Sequence, residues 1–186
     1  MIVVENQLDY VSRRYAPAMT TQVTTSEWTP LPNSLPEGAE PGKVYVLPTR
    51  LPPEGSEPQD PIYLESMRYV PKEARLAGVP VEFSVPSGSR HFLSEYSSDP
   101  GQWSIALSII GMVNEWIIAA VVVFVQTRID AHGVPKEEAA KHPLKVSIAE
   151  LYMDARLTKG ITLEGESDAV IEALKELVEK PKADAE

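Results

Sequence analysis

The middle of the chain is an almost unbroken run of apolar residues. From residue 103 to residue 125 only four side chains are plainly polar, namely Ser104, Ser108, Asn114 and Glu115. The run is about as long as the roughly 20 residues that a helix needs to cross a bilayer. The pattern predicts one long apolar helix over residues 101–131.

Two surroundings fit such a helix. In a soluble protein it would be buried or would form an interface, because an exposed apolar surface of that size seldom stays uncovered. In a membrane protein residues 103–125 would span the bilayer, and a face of small or polar residues would let two helices approach closely. Both interpretations give the helix the same polar stripe, formed by Ser104, Ser108, Gly111 and Glu115.

Charge placement favours the soluble interpretation. The positive-inside rule considers basic residues within about 20 residues of a membrane segment. Only Arg90 lies within that distance before the segment, whereas four basic residues follow it: Arg128, Lys136, Lys141 and Lys145. The rule would keep the C-terminus in the cytoplasm and place the proline-rich first half outside, with no cleavable signal to lead it. We therefore predict a cytoplasmic protein, with a single-pass membrane protein as the alternative.

Prolines characterise the first region, residues 1–100. Thirteen of the 17 prolines lie in residues 1–86, and each one removes a backbone donor and disfavours helix at the preceding residue. We therefore expect short strands and short helices between turn-rich loops in this region. The strands are expected over residues 43–47, 63–70 and 79–85 (the last at a sheet edge), and the short helices over 71–78 and 87–96.

The last third of the chain predicts a strand–strand–helix module over residues 145–180, after a charged connector over 132–144. The strands are expected over 145–153 and 161–163, with a turn at Lys159-Gly160 between them. Ser167 can cap the helix that follows. Its apolar stripe has helical spacing, and consists of Val170, Ala173, Leu174, Leu177 and Val178. Residues 181–186 are expected to form a frayed tail.

Taken together, these elements predict an α+β protein. It has a small N-terminal α/β unit with proline-rich loops, one long central apolar helix and a C-terminal strand–strand–helix module. Over roughly the last 85 residues this layout resembles accessory proteins of bacterial conflict systems. The resemblance implies no functional residue in this sequence.

Composition excludes several classes of function. The 17 basic and 27 acidic residues give a net charge of −10, which argues against a nucleic-acid binder because phosphates require a basic face. The absence of cysteine excludes disulfides, thiolate metal sites and a cysteine nucleophile. His91, His132 and His142 have no ligand-like spacing, so we predict no metal site and no cofactor.

Two candidates for chemistry lie after the predicted strand over residues 79–85. Ser87, Gly88, Ser89 and Arg90 would open a helix, and backbone N–H groups with two hydroxyls and a guanidinium could hold an anion. His91 and Glu95 stand four residues apart and would share a helix face as an acid–base pair, or as metal ligands with Asp99. An ordinary turn and a solvated helix face explain the same residues without chemistry.

The sequence therefore favours a non-enzymatic interaction or adaptor module that self-associates or binds a protein partner through its apolar helix. A membrane-anchored sensor or scaffold is the second hypothesis. A small hydrolase or ligand-binding enzyme that uses the Ser87–Glu95 region is the third.

Overall fold

The computed structural model describes residues 22–57, 60–94 and 101–179, and these residues form eight strands and four α-helices. The strands are β1 (Thr24–Glu27), β2 (Val44–Val46), β3 (Ile62–Leu64), β4 (Val81–Phe83), β5 (His91–Leu93), β6 (Trp103–Ile110), β7 (Pro143–Leu151) and β8 (Leu157–Glu166). The helices are α1 (Val70–Leu76), α2 (Glu115–His132), α3 (Lys136–Lys141) and α4 (Ser167–Glu179). The predicted α+β fold class is confirmed.

Six of the strands form one mixed sheet in the order β1-β8-β7-β6-β2-β4, and β3 and β5 form a separate parallel pair. Within the six-stranded sheet, β6 runs parallel to β7 and β2 runs parallel to β4, whereas the other neighbours are antiparallel. Parallel neighbours need a crossover connection. Helix α2 lies in the connection from β6 to β7, and α1 lies in the connection from β2 to β4.

Helices α1, α2 and α4 cover one face of the sheet, with α2 in contact with both of the others. The largest group of buried apolar residues lies between this helical layer and the central strands. From the sheet it includes Val46, Ile105, Leu107, Val146 and Ile148, and from the helices Ile117, Val121, Phe124, Val170 and Leu174. Removing this apolar surface from water is the main favourable contribution to folding.

A smaller apolar cluster lies on the opposite face of the sheet. Ala106, Ala149 and Leu151 come from β6 and β7, and they are covered by residues of the segment before β2, which include Trp28, Leu35 and Ala39. The central strands are thus buried on both faces, as is usual for parallel neighbours.

The predicted long helix over residues 101–131 is wrong in its first part. Residues 103–110 form β6, Gly111 turns the chain with a φ of 87°, and helix α2 begins only at Glu115. A strand that is buried on both faces shows no alternation, so its sequence resembles that of a buried helix. Among the described residues, none of the helices is both long enough and apolar enough to cross a membrane.

The predicted helix over residues 87–96 is also wrong. Ser87–Ser89 form only a short 3-10 turn, and His91–Leu93 form β5, which pairs with β3. The strand is favoured because Phe92 packs against the rings of Tyr63 and Phe83, with ring centroids 5.6 and 5.8 Å apart. The predicted C-terminal end of this helix lies outside the described residues.

The predicted strand over residues 63–70 is wrong after Leu64, because Glu65–Met67 form a 3-10 turn and α1 begins at Val70. Several other predicted elements are confirmed. Strand β2, helix α1 and the strand–strand–helix order of β7, β8 and α4 lie where the sequence placed them, and β4 lies at the sheet edge. The turn between β7 and β8 is not at Lys159-Gly160, because both residues belong to β8; the chain turns at residues 152–156, where Ala155 has a φ of 62°. The tail over residues 181–186 lies outside the described residues.

Candidate functional site

The residues of the predicted polar stripe do not lie on one helix. Ser104 and Ser108 lie on β6 and share one face of the sheet, because side chains two and four residues apart in a strand point the same way. Gly111 is in the turn that follows. Glu115 is exposed in the first turn of α2, where Asn114 caps the helix by accepting a hydrogen bond from the backbone N–H of Trp116 at 3.0 Å.

The predicted anion-binding residues Ser87, Gly88, Ser89 and Arg90 are adjacent but lack the helix start on which the prediction depended. The Arg90 guanidinium is already engaged, because its Nε donates to the Val85 carbonyl at 2.6 Å and its Cζ lies 4.5 Å from the centre of the Phe83 ring. Ser89 lines a cavity that is also lined by Glu37 and Asp60, whose carboxylates would repel an anion.

His91 is exposed on β5 and not on a helix, which removes the basis of the predicted acid–base pair. Glu95 and Asp99 lie outside the described residues. In the described part of the chain, no three His, Asp or Glu side chains come together in a way that could hold a metal ion.

A groove between α1 and α2 is a further candidate site, and its volume is about 590 Å³. We call it the α1–α2 groove. Tyr69, Leu76, Ala77 and Val123 supply its apolar surface, and Glu73, Gln126, Thr127 and Asp130 supply its polar surface. Two of the apolar side chains are largely exposed: 61% of Tyr69 and 76% of Leu76 are accessible to solvent.

The residues that line each wall of the groove have helical spacing. Tyr69, Glu73 and Leu76 are separated by four and three residues, so they line one side of α1, while Val70 and Ala74 on the other side are buried in the core. Helix α1 therefore has apolar side chains on two faces, and only one of them is covered by the fold.

The charge of the groove is wholly negative. Glu73 and Asp130 are the charged residues among those that line it, one on each wall. Asp130 is held in place because its Oδ1 accepts a hydrogen bond of 2.7 Å from Nε2 of Gln126, one helical turn earlier. The Thr127 hydroxyl donates to the backbone carbonyl of Phe124 at 2.7 Å, so its proton is already used within the helix.

Sequence reasoning identified α1 and the apolar part of α2 but did not find the groove. The seven-residue spacing of Tyr69 and Leu76 was a usable signal, but the sequence analysis placed Tyr69 in the predicted strand over residues 63–70. What the sequence could not supply is the pairing of two helices that are about 40 residues apart in the chain.

Comparison with protein families, with curated proteins and with solved structures finds no significant match for this chain.

Proposed function

We propose that this protein is a non-enzymatic interaction module that binds a partner protein in the α1–α2 groove. The observation that carries the proposal is the combination of an uncovered apolar surface with an acidic rim. Exposed apolar patches bordered by polar residues are typical of sites where proteins bind other proteins.

The occupant that fits this groove is an amphipathic helix with an apolar ridge and basic flanks. A helix binds a groove of this kind through apolar residues spaced three and four positions apart. Leu76 and Tyr69 would contact the ridge, and Glu73 and Asp130 on the two walls would attract basic residues on either side of it.

A second copy of this chain fits the groove less well. The chain has a net charge of −10, and a symmetric contact through the groove would bring two acidic rims together. Like charges that face each other across an interface are costly. We therefore infer a basic partner rather than self-association.

A designed peptide tests this proposal directly. The probe is an 18-residue helical peptide with leucines at positions i, i+4 and i+7 and lysines on both flanks, and its binding is measured by fluorescence anisotropy at about 0.15 M salt. We expect a Kd on the order of 10–100 μM, typical of a small interface. A twin peptide with glutamate in place of every lysine is expected to bind at least about tenfold more weakly.

Leu76→Lys is expected to weaken binding of the lysine peptide at least about tenfold, because it removes an apolar contact and repels the peptide's charge. Leu76 is exposed and ends α1, where a lysine suits the helix dipole, so the fold is expected to persist. The matched control is Leu177→Lys, since Leu177 is 44% exposed near the end of α4 and does not line the groove.

Three results would contradict the proposal. They are equal binding of the two peptides, equal weakening by Leu177→Lys, and a dimer in sedimentation velocity that Leu76→Lys abolishes. The last result would make a second copy the occupant.

A further inference from the structure

A cleft lies on the face of the sheet opposite the helices, and its volume is about 330 Å³. We call it the sheet-face cleft. Its floor includes Ser104 on β6 together with Lys145 and Ser147 on β7. Ser104 is in register with Lys145, and Ser147 lies two residues further along β7. The other residues that line it are Trp28, Leu31, Thr49, Arg50, Gln102 and Ile105.

Arg50 supplies a positive charge at this cleft. Its backbone is fixed by a pair of hydrogen bonds with Ile62, in which Arg50 N–H donates at 3.1 Å and Ile62 N–H donates at 2.7 Å. Within the described ranges its guanidinium makes no hydrogen bond or ion pair with another residue. The guanidinium is therefore available to a ligand, and its planar donors match a carboxylate in a two-point contact.

Lys145 supplies a second cation, but a neighbouring carboxylate partly neutralises it. Glu164 Oε2 lies 3.8 Å from the Lys145 ammonium, and Glu164 Oε1 accepts a hydrogen bond of 2.7 Å from Gln102 Nε2. The three charged groups together leave the cleft with one net positive charge, in a chain whose net charge is −10. A ligand with a single negative charge would balance it.

Apart from the two cations, the cleft is lined by both polar and apolar residues, and its apolar part suits a flat ring. Trp28 and Leu31 form one wall, and the backbone of Trp28 is held against the sheet because its main-chain N–H donates to the Gly160 carbonyl at 3.0 Å. At the floor, the Ser147 hydroxyl is paired with Thr162 at 2.8 Å. The indole ring offers a stacking surface to an aromatic ligand.

We propose that the sheet-face cleft binds a small aromatic monocarboxylate, with the carboxylate on Arg50 and the ring against Trp28. The volume is at the lower end of the range for small-molecule sites, which suits a ligand of one or two rings. The proposal is independent of the α1–α2 groove, because the two sites share no residue.

The experiment titrates the full chain with 2-naphthoate, with its neutral twin 2-naphthamide and with inorganic phosphate. The readout is the NMR signal of the Trp28 indole N–H, assigned with a Trp28→Phe variant. For a ligand of this size we expect a Kd on the order of 1 mM for naphthoate. Naphthamide and phosphate are each expected to bind at least about tenfold more weakly, because each lacks one of the two contacts.

Arg50→Gln is expected to weaken naphthoate binding by about ten- to a hundredfold, since it removes a charge-assisted contact. Lys145→Gln is expected to weaken naphthoate binding less, because Glu164 already partly neutralises the Lys145 ammonium. Arg75→Gln removes an exposed cation of α1 outside the cleft and serves as the control. Unchanged binding by Arg50→Gln, equal binding of naphthamide or phosphate, or no shift of the Trp28 signal would each overturn the proposal.

Discussion

Gly160 illustrates how a single residue permits a close approach between β8 and Trp28, which lines the sheet-face cleft. It lies within β8, and a Cβ atom at this position would overlap the backbone carbonyl oxygen of Trp28. A glycine inside a strand often marks such a close approach of another backbone. The sequence pattern instead suggested a turn at Lys159-Gly160, because glycine is also common in turns.

Gly160→Ala is expected to lower the free energy of unfolding by about 1–3 kcal/mol, the usual cost of forcing extra atoms into a packed region. Urea denaturation followed by tryptophan fluorescence measures it. Gly38→Ala is the control, because a Cβ at Gly38 meets nothing within 4 Å. Equal stability of the two variants would show that Trp28 and β8 do not approach each other as described.

Tyr63 is a buried polar residue whose hydroxyl makes hydrogen bonds to two other segments of the chain. It donates to the Val46 carbonyl at 3.2 Å, lies 3.0 Å from the Ser84 hydroxyl and accepts from the backbone N–H of Val85 at 3.1 Å. Burial raises the pKa of this phenol above its ordinary value, although the hydrogen bonds from Ser84 and Val85 oppose the rise. The folded state therefore resists ionisation of Tyr63.

Because the pKa of Tyr63 is higher in the folded state, its contribution to stability is complete below the unfolded tyrosine pKa of about 10 and is lost as the pH rises beyond it. Tyr63→Phe should flatten this alkaline loss. At neutral pH it should also lower the free energy of unfolding by about 1–3 kcal/mol, because the Val85 N–H is left unpaired.

Urea denaturation at pH 7 and at pH values above 10 measures both effects of Tyr63→Phe. Tyr69→Phe is the matched control, since Tyr69 is 61% exposed and the same change should alter stability by less than about 0.5 kcal/mol. An alkaline loss of stability that is the same in wild type and in Tyr63→Phe would refute the role given to this phenol.

At the level of secondary structure, the central apolar segment shows what the sequence can and cannot predict. Its composition reveals burial, and burial is confirmed for both halves: Leu107 on β6 and Ile117 on α2 are each fully inaccessible to solvent. Composition alone does not distinguish a strand buried on both faces from a buried helix. The break is marked by Gly111 and by Asn114 before Glu115, which is a typical helix start.

Elements with clear local patterns were easier to predict. Helix α1 has proline in its first turn and Gly78 just after its end with a φ of 76°, and the apolar stripe of α4 buries Val170 and Leu174. The two sites depend instead on contacts between distant segments. The groove needs α1 against α2, and the cleft needs Trp28 and Arg50 beside β6 and β7.

For the whole molecule, the net charge conceals two surfaces of different character. The α1–α2 groove carries only negative groups on its walls, whereas the sheet-face cleft carries a net positive charge on the opposite side of the sheet. Opposite potentials at separate sites favour different ligands. We accordingly expect that a basic helix and an aromatic carboxylate bind this protein at the same time without competition.

Both sites depend on one structural claim, namely that the apolar middle of the chain is a strand followed by a helix. The ¹³Cα secondary chemical shifts of the full chain test it most directly. The fold predicts strand shifts over Trp103–Ile110, helical shifts over Glu115–His132 and a break at Gly111, with contacts between Ile105 and Val146 on neighbouring strands. Unbroken helical shifts from residue 103 to residue 125 would contradict the fold and would remove both sites with it.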